Sequence, residues 1–163
     1  MIDVNLTEYE MAAAAQTGAL RQIRAIRDGY DQNYSKKTAS NFWQRHIEGA
    51  CGEIAVAKAL GQYWGGSVST FKKQGDIDGT GWEVRTRSRH NADLIVRPDD
   101  VADRVFILVT GTAPRYRVHG WIKASDAQSD EYKKFYEGVG DAFFVPQNKL
   151  NKLGDLKHEH KGS

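Results

Sequence analysis

An α/β (α+β) domain, a mixed β-sheet flanked by helices, is the fold that this sequence predicts. Three observations point to it. Apolar residues recur at helical spacing in two long stretches before residue 61. Short apolar or alternating runs follow between residues 68 and 145. Glycine and proline clusters punctuate those runs.

Thr7-Glu8-Tyr9-Glu10 reads as a capping box: the Thr7 hydroxyl accepts from the Glu10 amide, and Glu10 reaches back. The helix that follows is expected to reach about Asp28. It carries Met11, Ala14, Ala15, Leu20, Ile23 and Ile26, and Gly29 ends it. Arg21, Arg24 and Arg27 repeat along one side and read as a solvated face. Tyr30 to Thr38 is a polar connector in which Lys36 and Lys37 face water. Ser40 or Asn41 caps a second helix that ends at Leu60, before Gly61. Ile47, Ala50, Cys51 and Ile54 form its apolar stripe. Glu53 lies on the next face round with His46, Gly49 and Ala57. Glu48 stands about 140° from Glu53 and is expected outside its site. Gly49 and Gly52 weaken the helix and mark a close approach by a backbone or a ligand.

Strands are expected at Val68–Lys72, at Asp93–Arg97, at Val105–Val109, at Arg115–Ile122 and at Ala142–Val145. Val105–Val109 is apolar throughout, as a central strand covered on both faces must be. In Arg115–Ile122 the alternation puts Arg115, Arg117, His119 and Trp121 on one face, with Tyr116, Val118 and Ile122 on the other. Ser125 or Ser129 starts a third helix containing Tyr132, Phe135 and Tyr136, ended by Gly138 and Gly140. From Lys149 the chain turns polar, and His158-Glu159-His160 reads as part of a disordered tail. One domain is expected over residues 1–163: a first helix at about 7–29, a core at about 40–146 and a polar tail at about 149–163.

The 163 residues are enough for one core, and 27% charged against 40% hydrophobic residues is an ordinary globular balance. A net charge of +2 does not demand a nucleic-acid partner and allows one where the basic residues cluster. Cys51, the single cysteine, permits no internal disulfide and suits a reducing cytoplasm. No apolar run approaches the length of a membrane span, and no signal peptide is evident.

Chemistry concentrates in Gly75-Asp76-Ile77-Asp78-Gly79-Thr80-Gly81-Trp82-Glu83-Val84-Arg85-Thr86-Arg87, which reads as a β-hairpin turned by Gly79-Thr80-Gly81. Asp76 and Asp78 are two apart and either one can face Glu83. Glu83, Arg85, Arg87 and Arg89 share one face, while Trp82, Val84 and Thr86 share the other. Carboxylates gathered by a sheet suit a hard divalent cation such as Mg²⁺ or Mn²⁺, and a neighbouring arginine suits a phosphate. The competing reading is a surface hairpin whose charges face water.

The order is a helix with an inward acid, a strand, an aspartate and then a Glu-x-basic strand. It resembles the PD-(D/E)XK, restriction-endonuclease-like, nuclease superfamily, over roughly Asn41 to Ile122. The phrases Gly52-Glu53-Ile54-Ala55-Val56-Ala57-Lys58 and Gly120-Trp121-Ile122-Lys123-Ala124 also resemble small proteins of tailed bacteriophages. The resemblance implies a metal-dependent DNA endonuclease, a hydrolase. Asp76, Glu83, Glu53 and Arg85 would be its catalytic residues, and Asp76, Glu83 and Glu53 its metal ligands. The superfamily usually has lysine where this chain has Arg85. Arginine keeps its proton at any working pH, so it serves as a fixed charge and not as a base.

Arg87, Arg89, Arg115 and Arg117 are expected to bind DNA phosphates with a clear salt dependence. Two other functions fit the same residues: a nuclease-fold protein that binds nucleic acid without cutting it, and a phage module that acts on a host protein. The expected location is the cytoplasm, that of the host for a phage protein. Whether the chain forms a homodimer stays open.

Overall fold

In a computed structural model of the chain, residues 1–29, 42–68, 75–136 and 140–156 are described. The strand expected at Val68–Lys72 lies mostly outside them. So do Lys36, Lys37, Ser40, Asn41, Gly138 and the His158-Glu159-His160 tail. The fold is α+β, as expected.

A strand that the sequence analysis did not expect opens the chain: β1 (Ile2–Asn5). Helix α1 (Glu8–Arg27) follows, and its capping box is complete: the Thr7 amide donates to Glu10 at 2.7 Å and the Glu10 amide to the Thr7 hydroxyl at 3.2 Å. Helix α2 (Phe42–Leu60) buries every residue from Ala50 to Ala57, and Gly61 stops it at φ 65°. Then come β2 (Glu83–Arg87), β3 (Leu94–Val96), β4 (Val105–Thr112) and β5 (Arg115–Lys123). A short α3 (Ala124–Ala127), β6 (Lys133–Tyr136) and β7 (Gly140–Val145) follow.

The first sheet has the order β1-β5-β4-β2, with β2 parallel to β4 and the other pairs antiparallel. The second is β3-β7-β6, antiparallel throughout. The helices lie on one face of the first sheet, where α2 packs beneath Val84, Ile107 and Val109. The other face meets the second sheet: Phe106, Leu108 and Ile122 pack on Leu94, Val96 and Phe143. Strand β4 contributes to both cores, so its all-apolar run is covered on both sides, as expected.

Three expectations are corrected. Tyr132 closes a short 3₁₀ turn, and Phe135 and Tyr136 belong to β6 and not to a third helix. Pairing with β7 satisfies the backbone there, and aromatic residues suit a strand. In α1 the apolar residues Leu20, Ile23 and Ile26 are exposed, while Ala14, Thr17, Gly18 and Gln22 face inward. Small residues let α1 lie close against α2, and that contact selects the buried face. Within the C-terminal stretch read as polar, Leu153 and Leu156 are buried and Asn151 bridges to Trp121. Among the described residues no helix is long and apolar enough to cross a membrane.

The helix crossing yields a test. A Cβ on Gly18 would meet the Ile47 backbone at 2.6 Å, whereas one on Gly49 meets nothing within 4 Å. Gly18→Ala is expected to destabilise the fold by about 1–3 kcal/mol, because a helix backbone must move. Gly49→Ala should stabilise it by up to ~1 kcal/mol through helix propensity. Denaturant unfolding of the two variants checks this, and equal effects would disprove the close crossing at Gly18.

Candidate functional site

The hairpin forms as a tight bridge. Ile77 pairs antiparallel with Trp82, and Gly79 and Gly81 take φ values of 73° and 71°. The Thr80 hydroxyl donates to the Ile77 carbonyl at 2.8 Å and accepts from the Trp82 amide at 3.1 Å. Ile77, Trp82 and Val84 are buried on the helix side, so alternation turns Glu83 and Arg85 to the opposite face. In this sheet β2 is an edge strand. Asp76 covers part of its free edge by accepting from the Val84 amide at 2.7 Å. Asp78, the alternative to Asp76, is exposed and accepts from the Gly65 amide, so it does not join the site.

Glu53 reaches this edge from α2. It is buried, at 5% exposure, and Arg21 of α1 holds it in a fork, Nη1 to Oε1 at 2.6 Å and Nη2 to Oε2 at 2.9 Å. Trp64 Nε1 also donates to Oε2, at 2.9 Å. Arg21 is therefore no solvated face, which corrects the reading of the Arg21, Arg24 and Arg27 series. It lies seven residues after Ala14, on the packed stripe, and that spacing was the clue in the sequence. Burial disfavours the Arg21 charge, but Glu53 and then Asp76 outweigh this and hold its pKa above the usual arginine value. Nothing in the sequence marked Trp64 as a partner of Glu53.

The acids repel one another across the edge. The Asp76 carboxyl is pushed up to about 7, first by burial and then by the charges of Glu53 and Glu83. Burial also raises Glu83, against the pull of Arg85 and Arg104. Arg104 Nη1 contacts Glu83 Oε1 at 3.2 Å.

Arg85 is held in place by other groups. Its Nη2 donates to both oxygens of Asp100, at 3.0 and 2.9 Å, and its Nε to the Ile95 carbonyl at 3.2 Å. The guanidinium stacks over Phe106, 4.5 Å from the ring centre. Sequence reasoning did not identify Asp100 or Arg104, since loop residues carry no periodicity.

A cleft of about 620 Å³ wraps the edge of β2. Arg45, Glu48, Gly49 and Glu53 line it from α2; Arg85, Arg87, Ser88 and Arg89 line it from β2 and the turn beyond. Glu48 thus shares the cleft with Glu53 although the helical arithmetic set it apart: the cleft is broad enough to take in both. Arg115 and Arg117 lie elsewhere, in a recess of about 430 Å³ with Asp3 and His90. Arg117 pairs there with Asp3, Nε to Oδ1 at 2.6 Å.

Lone-pair counting tests a divalent cation against these residues. Glu53 Oε2 already accepts two hydrogen bonds, Asp76 Oδ2 one and Glu83 Oε1 one. Asp76 Oδ1 and Glu83 Oε2 accept no hydrogen bond among the described residues. Among the described residues no three His, Cys, Asp or Glu side chains stand close enough to enclose an ion. Two carboxylates with water completing the shell suit Mg²⁺, which keeps several waters. The mutual repulsion of the acids fits a positive ion between Asp76 and Glu83. No protein-family model, curated protein or solved structure matches the chain.

The raised Asp76 pKa makes a pH prediction. Between about pH 4 and pH 7 the folded chain holds the Asp76 proton more firmly than the unfolded chain, so ionisation of Asp76 costs stability as pH rises through that window. Asp76→Asn, measured without divalent ions, should raise the melting temperature at pH 8, on the order of 5 °C, and much less at pH 5. A gain that is the same at both pH values would show that Asp76 is not strained by its neighbours.

Proposed function

We propose that the chain is a metal-dependent phosphodiesterase acting on DNA, related to the PD-(D/E)XK nucleases. The observation that carries this reading is the Asp76 carboxyl, pushed up to about 7 by burial, Glu53 and Glu83 beside an arginine-lined cleft. A carboxyl shifted by burial and by named neighbouring charges beside a cleft is a candidate functional site. Asp76 and Glu83 would hold the cation through Asp76 Oδ1 and Glu83 Oε2, and Glu53, immobilised by Arg21, would orient a water through Oε1. Bound there, Mg²⁺ or Mn²⁺ supplies Lewis-acid stabilisation of a phosphoryl oxygen and a more acidic water. Arg85 keeps its Nη1 donors without a hydrogen bond among the described residues, so it can contact a phosphate without leaving Asp100. Arg87 and Arg89 would position the strand by contacts to its phosphates.

A second reading, binding of nucleic acid without cleavage, draws support from the same arginine. Asp100 already occupies Arg85, and Arg21 with Trp64 occupies much of Glu53. Both features lower the capacity of the site for catalysis and leave the cationic walls intact.

Two measurements separate the readings. Plasmid cleavage with Mg²⁺ or Mn²⁺ is expected for wild type and should fall below detection for Asp76→Asn, with folding verified by melting. Duplex binding by Arg87→Ala should weaken at every sequence and lose about one unit of the salt slope. Binding that survives with no cleavage under either metal establishes the second reading, and failure of both assays removes the nucleic-acid proposal.

A further inference from the structure

A second cluster of charged and titratable groups lies beyond the cleft, at the far end of the same sheet. Register puts Arg87, Thr110, Arg117 and Asp3 in one row across four strands, Arg87 beside Thr110, Thr110 beside Arg117 and Arg117 beside Asp3. A β-bulge interrupts the β4–β5 pairing next to this row: Leu108 pairs with Gly120 but Val109 with Val118, which leaves His119 as the extra residue. His119 Nε2 then meets the Thr110 hydroxyl at 2.7 Å, and His90 Nδ1 meets the same hydroxyl at 2.9 Å. Thr110 is fully buried. Its single proton can serve one imidazole while the oxygen accepts from the other, so the three groups form one chain. His119 Nδ1 is buried and meets no hydrogen-bond partner among the described residues.

Positive charge dominates here. Arg117 spends Nε and Nη2 on Asp3, and Arg115 is exposed at the edge of the recess. Asp3 is the one carboxylate among the residues that line this recess. A neighbouring depression of about 490 Å³ shares His90 and Arg115 with the recess and Ser88 and Gly111 with the cleft, so the surface runs on from one to the other.

We propose that His90, Arg115 and Arg117, backed by Thr110 and His119, form a second phosphate subsite that takes a backbone phosphate of a nucleic-acid strand leaving the cleft. The subsite stands on its own residues; only the source of the phosphate depends on the nucleic-acid reading. Proton uptake should accompany binding. Burial holds His119 below the usual histidine range, and Arg117, His90 and the Met1 amino group add to this while Asp3 opposes it. A bound anion offsets the repulsion from these cations, so His119 gains charge more readily when it is present.

Histidine-ring NMR of the full chain, titrated with inorganic phosphate against a chloride control of equal ionic strength, tests the subsite directly. The His90 and His119 signals should shift saturably, with affinity at least about threefold higher at pH 6 than at pH 8. Arg115→Ala, an exposed change, should weaken binding by about fivefold or more. No saturable shift, or equal binding by Arg115→Ala, overturns the subsite. Addition of a single-stranded DNA of about 20 nucleotides should displace the phosphate and return the ring signals toward a DNA-bound position. Phosphate binding that DNA does not displace overturns the assignment to a nucleic-acid strand and identifies a site for a small phosphate compound. Saturable binding in a chain that fails to bind or cut DNA would leave the phosphate subsite standing and overturn both the cleft reading and the assignment of the phosphate to a nucleic-acid strand.

Discussion

Strand β4 is the constraint on which the arrangement depends. Val105 to Val109 is buried on both faces, with Ile107 and Val109 under α2 and Phe106 and Leu108 against the second sheet. Each such side chain contributes about 1.5–3 kcal/mol when fully buried. A strand buried on both faces must also bond its backbone on both edges, since unpaired buried amides are costly. Strand β5 takes one edge and β2 the other. That leaves β2 as the outer strand, and its free edge is where the acids gather.

The site follows from this edge. Val84 and Thr86 face α2, and a Cβ on Gly52 would collide with the Thr86 side chain, so the helix lies close to β2 at this point. Glu53 comes in from the helix face and Glu83 projects from the other, with Asp76 on the rim between them. Burying Glu53 alone would be costly; the Arg21 fork and the Trp64 indole supply partners for it. Among the described residues Asp76 accepts from one amide and forms no ion pair, and its pKa records the imbalance. The strain is local and electrostatic, and it is concentrated at Asp76, buried beside Glu53 and Glu83.

Arginine at position 85 has a structural reason. Its planar fork serves a carboxylate, a main-chain carbonyl and an aromatic face together, through Asp100, Ile95 and Phe106. A lysine offers one point charge on a flexible stem and could not satisfy all three. The guanidinium thus ties β2 to the loop before β4 and to β3, as well as presenting charge to the cleft.

Much of this was legible in local sequence. Thr7 and Glu10 specify a helix start because a capping box needs only four residues. The apolar run at Val105–Val109 identified a central strand, and alternation around Trp82–Arg87 assigned each side chain to a face. That alternation put Glu83 and Arg85 on one face and left Asp76 and Asp78 as alternatives, while the set Glu53, Asp76, Glu83 and Arg85 came from the resemblance to the PD-(D/E)XK superfamily. What tertiary contact decided is equally specific. Arg21 became the partner of Glu53 because α1 packs its small residues on α2, leaving Leu20, Ile23 and Ile26 outside. Asp76 rather than Asp78 entered the site because the edge amide of Val84 was there to receive it. One bulge at His119 carried Trp121 to the helix-side core, away from Arg115 and Arg117, and sent Ile122 to the opposite core from Tyr116 and Val118. An alternating pattern describes a strand only while pairing stays in step. A single extra residue reverses every face beyond it, and whether one is inserted depends on the partner strand.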